Sequence, residues 1–158
     1  MEIENAQIQR RRILLQGIIQ GVGMRPFVYR EAKQNGLSGL VLNNSTGVKI
    51  EVEGIPQKIE DFIRSLQDNP PVLARIDEIV VEPIPPQGDK EFIIETSQQG
   101  EEQQVMISPD TATCSECLQE LFDPNDRRYH YPFINCTNCG PRFSIVQDAP
   151  YDRSKTTM

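Results

Sequence analysis

Apolar positions along residues 12–95 repeat with the periods of helices and strands. The clearest helix is predicted over residues 56–68, where apolar residues recur at i, i+3, i+4 and i+7 and two prolines follow. A second helix is predicted over residues 26–35, with Pro26 as its first residue and Gly36 as its left-handed C-cap. Strands are predicted over residues 13–19, 40–43, 48–53, 76–81 and 91–95.

The order of these elements is β-α-β-β-α-β with one short final strand. Two helices on one face of an antiparallel sheet form the ferredoxin-like arrangement. We therefore predict an α+β protein, with a ferredoxin-like βαββαβ sandwich over residues 12–95. Residues 1–11 are predicted to be a loose tail. Residues 96–104 contain no apolar side chain and are predicted to be a flexible linker that couples the sandwich only weakly to the rest of the chain.

Length and charge restrict the function classes. The 158 residues suit one domain or two small ones, and 16 basic against 23 acidic residues give a net charge of −7. An acidic chain repels phosphate backbones, so no nucleic-acid partner is expected. No apolar run approaches the ~18 residues of a membrane span, and no signal-peptide core follows the acidic start. We expect a cytoplasmic protein without a membrane partner.

The loop after the first strand has the composition of an anion site. It runs through Gln20, Gly21, Val22, Gly23, Met24 and Arg25. Its two glycines permit positive φ, so that successive N–H groups can turn inward beside the positive end of the following helix. The guanidinium of Arg25 can hold two phosphate oxygens at once. Alone, such a loop is also compatible with a tight turn that carries a surface arginine.

All four cysteines lie in the last third of the chain, as Cys114-x-x-Cys117 and Cys136-x-x-Cys139 with 18 residues between the pairs. This spacing is typical of a structural Zn²⁺ site with four thiolate ligands and no open position for catalysis. The predicted four-cysteine finger covers residues 105–148, and residues 149–158 are a C-terminal tail. A redox-active pair and a nucleic-acid-binding ribbon remain alternatives.

Other residues of the finger carry weaker signals. Its small core is predicted from apolar residues at helical spacing after the first cysteine pair: Leu118, Leu121 and Phe122. Its arginines can offset the thiolate charge locally: Arg127, Arg128 and Arg142. The single histidine, His130, could replace a cysteine as a ligand, but a surface or packing role is the simpler expectation.

Residues 16–27 (QGIIQGVGMRPF) and 39–48 (GLVLNNSTGV) resemble the two signatures of acylphosphatases, in the right order and spacing. The resemblance implies that Arg25 and the loop amides hold a phosphate, and that Asn43 positions the attacking water. An acyl phosphate is already activated, so charge neutralisation and water placement suffice for its hydrolysis. Without the resemblance, Asn43 would be interpreted as an Asx-turn residue.

The acylphosphatase-like unit, followed by Cys114-Ser115-Glu116-Cys117 and then by residues 131–143 (YPFINCTNCGPRF), resembles the start of HypF, the family of hydrogenase-maturation carbamoyltransferases. The family implies carbamoyl phosphate as substrate and a hydrogenase-maturation protein as partner. Its second finger, ATP-binding domain and transfer domain have no counterpart here, so we expect a fragment truncated before the second finger. It could retain ATP-independent hydrolysis of carbamoyl phosphate to carbamate and phosphate. The alternative is a non-catalytic, zinc-containing docking module for protein partners.

Overall fold

The structure is a computed structural model that describes residues 7–98, 110–147, 150 and 152–157. Five strands and two helices form the first unit: β1 (Gln9–Ile18), α1 (Met24–Gln34), β2 (Ser38–Asn44), β3 (Gly47–Gly54), α2 (Pro56–Asp68), β4 (Arg75–Ile84) and β5 (Phe92–Ile94). The finger contains α3 (Ser115–Phe122) and the 3-10 turn Phe143–Ile145, and a second 3-10 turn, Arg153–Lys155, follows. The predicted linker and the first part of the predicted finger fall mostly outside the described residues.

The strands form one sheet in the order β4-β1-β3-β2-β5. β3 pairs antiparallel with both β1 and β2, and β5 is parallel to β2. The predicted α+β, ferredoxin-like class is therefore confirmed. Because β1 and β2 run in the same direction, their carboxyl ends lie at the same end of the sheet. The loop after β1 and the last residues of β2 are therefore on the same side of the molecule.

The core lies between the helices and one face of the sheet. From the strands it takes alternate residues, including Ile13, Leu15, Val48 and Ile50, because successive side chains of a strand point to opposite faces. The buried residues of α2 follow the predicted helical spacing: Ile59, Phe62 and Leu66. Burial of such a stripe, at about 1.5–3 kcal/mol for each large apolar side chain, is what fixes an amphipathic helix to a sheet.

The prediction of a loose tail over residues 1–11 was wrong for its last residues, since β1 begins at Gln9. Arg10 is only 1% exposed. It donates to Glu51 (2.8 Å), Glu53 (3.0 Å) and Asp89 (2.7 Å), which compensate its charge. Three consecutive arginines are typical of a solvated segment, but here carboxylates from distant parts of the chain make burial of the first one favourable.

The limits of α1 and β4 also differ from the prediction. Helix α1 starts at Met24 with Gly23 as its N-cap, so Pro26 is the third helical residue, where an N–H is still not needed within the helix. Strand β4 continues past the predicted end at residue 81 to Ile84. It includes Pro83, which is tolerated because β4 is an edge strand. Gly36 has the predicted left-handed conformation, with φ +64°, but it follows the C-cap of α1, which is Asn35.

The finger forms its own small cluster. Cys117, Ile134 and Cys139 are buried at its centre, and Leu121 and Tyr131 pack against them. The prediction that Leu118 and Phe122 belong to this core was wrong, because they are 43% and 67% exposed. Cys117 lies on the buried face of α3, so residues on the other faces of that short helix point to solvent.

The described part of the predicted C-terminal tail folds back on the finger, which corrects that prediction. Val146 and Thr156 form a β-bridge, and Thr156 is buried. The N–H of Gln147 donates to Lys155 O at 2.8 Å, and the N–H of Thr157 donates to Ile145 O at 3.0 Å. Among the described residues, no helix combines the length and the apolar character needed to cross a membrane.

Candidate functional site

The loop between β1 and α1 has the backbone geometry that its glycines predicted. Gly21 and Gly23 have φ of +75° and +85°, values that L side chains rarely adopt. The carbonyl of Gly23 accepts the first helical hydrogen bond, from the N–H of Phe27 at 3.2 Å. The N–H groups of the first helical turn have no carbonyl partner within the helix. Arg25, the second residue of α1, lies in this turn.

Gln20 ties this loop to the turn between β2 and β3. Its side chain is 1% exposed, and its Nε2 donates to Asn44 O at 3.0 Å and to Gly47 O at 2.9 Å. The side chain of Gln20 therefore serves the scaffold, and Val22 is buried in the same loop. These two of the six predicted loop residues do not line the cavity that the other four share.

Asn43 and Asn44 have different tasks at the end of β2. The Asn44 Oδ1 accepts hydrogen bonds from the N–H of Thr46 (3.0 Å) and the N–H of Gly47 (2.9 Å). The side chain that forms the Asx turn is therefore that of Asn44 and not that of Asn43. Asn43 pairs with Val48 of β3 and is 2% exposed. Its side chain therefore lies on the helix-covered side of the sheet, next to the loop after β1.

Arg25 and Asn43 line one cavity of about 430 Å³, a volume in the range of small-ligand sites. The cavity brings together residues of the loop, two strands and the finger: Ile19, Gly21, Gly23, Met24, Arg25, Pro26, Asn43, Ile94, Asn135, Cys136 and Thr137. Sequence reasoning missed Ile94 and the three finger residues. The structure places Ile94 of β5 beside Val41 of β2.

The guanidinium of Arg25 points towards the segment that follows the finger. Its Nη2 lies 3.4 Å from Asp152 Oδ1, and its Nη1 lies 3.5 Å from Ser97 Oγ. Both contacts are long for charge-assisted hydrogen bonds, and the side chains of Arg25 and Asp152 are each 27% exposed. The guanidinium can therefore turn to an anion in the cavity without breaking a strong internal pair.

The four cysteine sulfurs lie within 4.8 Å of one another. The distances are 3.5 Å for Cys114–Cys136 and 3.9 Å for Cys136–Cys139 and Cys117–Cys139. Tetrahedral Zn–S bonds of about 2.3 Å imply sulfur–sulfur distances of about 3.8 Å, so the four sulfurs fit such an ion. No disulfide joins the four cysteines, and His130 lies apart from them with its ring stacked on Tyr129 at 3.8 Å.

The surroundings of the sulfurs differ from one cysteine to the next. Burial opposes ionisation of Cys139, but backbone N–H groups and the Arg142 guanidinium outweigh it and lower the pKa of Cys139 to about 6. Arg142 is buried, and its Nη2 donates to Cys139 Sγ at 3.3 Å. Burial raises the pKa of Cys117 and Cys136. A dication would favour the thiolate form of all four.

Arg128 supports the second cysteine pair from outside. Its Nε donates to Glu120 at 2.6 Å, and its Nη1 donates to the carbonyl of Asn135 at 2.7 Å. The residue just before Cys136 is thereby tied to α3. Arg142 thus contacts a cysteine sulfur, as the sequence suggested, and Arg128 holds the backbone of Asn135 and also interacts with Cys117.

The acylphosphatase family matches residues 11–94. An acylphosphatase of Caldivirga maquilingensis is 40% identical over 76 residues, which are 47% of this chain and 79% of that relative. The chain belongs to the acylphosphatase family. The matched residues include the loop after β1, with Arg25, and the end of β2, with Asn43, whereas the finger lies outside them.

The HypF finger family matches residues 113–146 of this acylphosphatase-family chain. A probable carbamoyltransferase HypF of Methanocaldococcus jannaschii is 50% identical over 146 residues, 90% of this chain and 19% of the relative. A full-length HypF in the phosphate- and nucleotide-bound form has a TM-score of 0.86 and 54% identity, over 98% of this chain and 20% of that one. The chain thus corresponds to the N-terminal region of HypF and spans about a fifth of the length of these relatives.

Proposed function

We propose that this chain binds acyl phosphates in the cavity at the carboxyl ends of β1 and β2 and hydrolyses them, with carbamoyl phosphate as the intended substrate. One observation carries the proposal: Arg25 from α1 and Asn43 from β2 line the same cavity beside two positive-φ glycines. Loop N–H groups and the guanidinium neutralise the phosphoryl charge, and Asn43 orients a water molecule. The similarity to HypF carbamoyltransferases supports the carbamoyl group.

The reaction needs no covalent intermediate with the protein. The oxygen of water forms a bond to phosphorus, and the bond from phosphorus to the acyl oxygen breaks, so that its electron pair leaves on carbamate. One water proton stays on the new P–O bond and the other passes to a phosphate oxygen, which gives dihydrogen phosphate. Arg25 holds the phosphoryl oxygens as their charge redistributes, which is where a planar, two-pronged donor is most effective.

We also propose that the four cysteines hold one structural Zn²⁺. Support comes from the sulfur–sulfur distances and the match to the HypF finger family. With four thiolate ligands the ion would have no open position, so its task is to fold the finger. The wider role that we propose, as part of a carbamoyltransferase that serves hydrogenase maturation, rests on the relatives alone.

The decisive experiment measures phosphate release from carbamoyl phosphate without ATP. Arg25→Ala should lower kcat/KM at least about 30-fold, because losing a charge-assisted fork costs about 2–5 kcal/mol. Arg25→Lys should recover little of it, because a point charge lacks the planar fork. Arg30→Ala is the matched control, since Arg30 is exposed on the same helix. Wild-type-like turnover in Arg25→Ala would remove the assignment, and no turnover in the wild type would favour the docking module.

A further inference from the structure

Cys136, the first cysteine of the second pair, forms part of the wall of the cavity that Arg25 and Asn43 line, which we call the acyl-phosphate cavity. Residues 135–137 contribute to its lining, together with Arg25 and Asn43. The finger was expected to be a separate structural unit, but here Thr137, which lies between Cys136 and Cys139, packs against the loop after β1. We call residues 136–139 the second knuckle and residues 114–117 the first knuckle.

The contact between the second knuckle and the loop is close. A β-carbon placed on Gly23 would lie 3.3 Å from the Cβ of Thr137 and 3.7 Å from its Oγ1. Any side chain at position 23 would press on Thr137, quite apart from the strain of its φ of +85°. The glycine therefore does two things: it turns the chain into α1, and it lets Thr137 lie directly over the loop.

The hydroxyl of Thr137 is available to a ligand. It makes no hydrogen bond to the part of the chain that the structure describes, and the side chain is exposed where it lines the cavity. A hydroxyl can both donate and accept hydrogen bonds. A phosphate held by the loop and Arg25 leaves its acyl group in the remaining space, where Ile19, Met24 and Ile94 offer apolar side chains and Thr137 offers a polar atom.

We propose that Thr137 is a specificity-determining residue, whose hydroxyl accepts a hydrogen bond from the amide N–H of a carbamoyl group and so favours carbamoyl over acetyl phosphate. The inference rests on the proposed function, because it needs the phosphate to lie on the loop. An acetyl group has a methyl in place of the amide and cannot make this hydrogen bond. A site that hydrogen-bonds an N–H disfavours an analogue that lacks it, because that hydrogen bond is then lost.

The first knuckle offers a matched control. Ser115 occupies the position in Cys114-Ser115-Glu116-Cys117 that Thr137 occupies in the second knuckle, and it is exposed. Ser115 does not belong to the lining of the acyl-phosphate cavity. Removing its hydroxyl therefore perturbs a knuckle in the same chemical way without touching the site.

The experiment compares binding of two stable phosphonates by calorimetry: phosphonoacetamide, which has the amide, and acetonylphosphonate, which has a methyl instead. Thr137→Val keeps the side-chain shape and should weaken phosphonoacetamide binding about 3–10-fold, the value of one neutral hydrogen bond. Binding of acetonylphosphonate and of inorganic phosphate should change less than about twofold. Thr137→Ser should keep the amide preference, and Ser115→Ala should change nothing. Elemental analysis checks that each variant keeps its metal.

Three results would overturn the inference: no amide preference in the wild type, an unchanged preference in Thr137→Val, or equal loss of both phosphonates, which would indicate a packing role. Neither phosphonate is hydrolysed, so this test is separate from the hydrolysis assay. A wild type that discriminates the phosphonates through Thr137 but releases no phosphate from carbamoyl phosphate would refute hydrolysis and leave recognition intact. Hydrolysis that depends on Arg25, with no effect of Thr137, would refute the inference alone.

Discussion

At the scale of single residues, Asn43 and Arg25 contribute differently to the same cavity. Arg25 carries the positive charge that the proposed acyl phosphate would need, whereas Asn43 is neutral and buried at the end of β2. Asn43→Ala should lower kcat about 10²–10³-fold, the usual effect of removing one preorganised polar group, and leave phosphate affinity within about threefold. Arg25→Ala should reduce both quantities. Hydrolysis rates beside calorimetric titration with inorganic phosphate separate the two effects.

Asn69→Ala provides the control for the Asn43 experiment, because Asn69 is exposed beyond the end of α2. It should change neither quantity. If Asn43→Ala lost phosphate binding as completely as Arg25→Ala, the β2–β3 hairpin would have collapsed, and a lower thermal midpoint would accompany the loss. That outcome would assign Asn43 a structural role.

At the scale of elements, the loop after β1 and the β2–β3 turn behave as one piece because Gln20 bridges them. Gln20→Ala leaves two carbonyl groups without that donor and should cost about 1–3 kcal/mol of unfolding free energy. It should also lower turnover, since Asn43 and the loop would no longer be held in register. Urea unfolding and the phosphate-release assay measure the two effects. Gln34→Ala, an exposed site at the end of α1, should leave both unchanged.

The elements themselves could be predicted from the sequence because each has a local signal. Helix α2 was predicted with the limits that the structure gives it, since apolar periodicity and Pro70 mark its core face and its end. The start of β1 was missed because Arg10 is buried by partners far along the chain, Glu51, Glu53 and Asp89. No local sequence pattern predicts such a cluster of charges.

The site shows the same division between local and distant information. Arg25 and Asn43 could be named because the family signatures are contiguous stretches of sequence. The role that we propose for Thr137 could not be predicted, because Thr137 and Gly23 lie near opposite ends of the chain. Only the folded chain brings the second knuckle to the loop after β1.

At the scale of the whole molecule, the cluster around Arg10 should make stability depend on pH. Burial alone would raise the pKa of Glu53, but the N–H groups of Gln87 and Gly88 and the Arg10 guanidinium outweigh it and lower that pKa. A carboxylate with a lowered folded pKa stabilises the protein above its unfolded pKa of about 4.3 and loses that effect as the pH falls through the folded value.

Glu53→Gln should therefore lower the unfolding free energy by about 1–3 kcal/mol at pH 7, and the difference from the wild type should shrink as the pH falls from about 5 to about 3. Urea unfolding at several pH values measures it. Glu78→Gln, at an exposed position of β4, is the control and should show little difference at any pH. A difference that stayed constant down to about pH 3 would mean that the charge of Glu53 contributes nothing.

The two units fold around separate cores but share one cavity. Removal of the metal should therefore disrupt the finger's part of the cavity and leave the core of the first unit folded. The sequence suggested that a flexible linker couples the first unit only weakly to its finger. The contacts of Thr137 with Gly23 and of Asp152 with Arg25 indicate instead that the finger and the segment after it are coupled to the first unit at the cavity. We expect one Zn²⁺ per chain and four thiols that react only after chelation, because ligand thiolates are protected. Stripping should unfold the finger and leave a cooperative thermal transition from the sheet.

Inorganic phosphate should still bind to the stripped protein within a few-fold, because Arg25 and the loop belong to the first unit. The preference for phosphonoacetamide over acetonylphosphonate should disappear, because the second knuckle no longer holds Thr137 over the loop. Chelation of Thr137→Val should cause little further loss of preference, and restored Zn²⁺ should bring it back in the wild type only. Loss of phosphate binding in parallel with zinc would instead mean that the two units fold as one, and the sheet transition would then vanish as well.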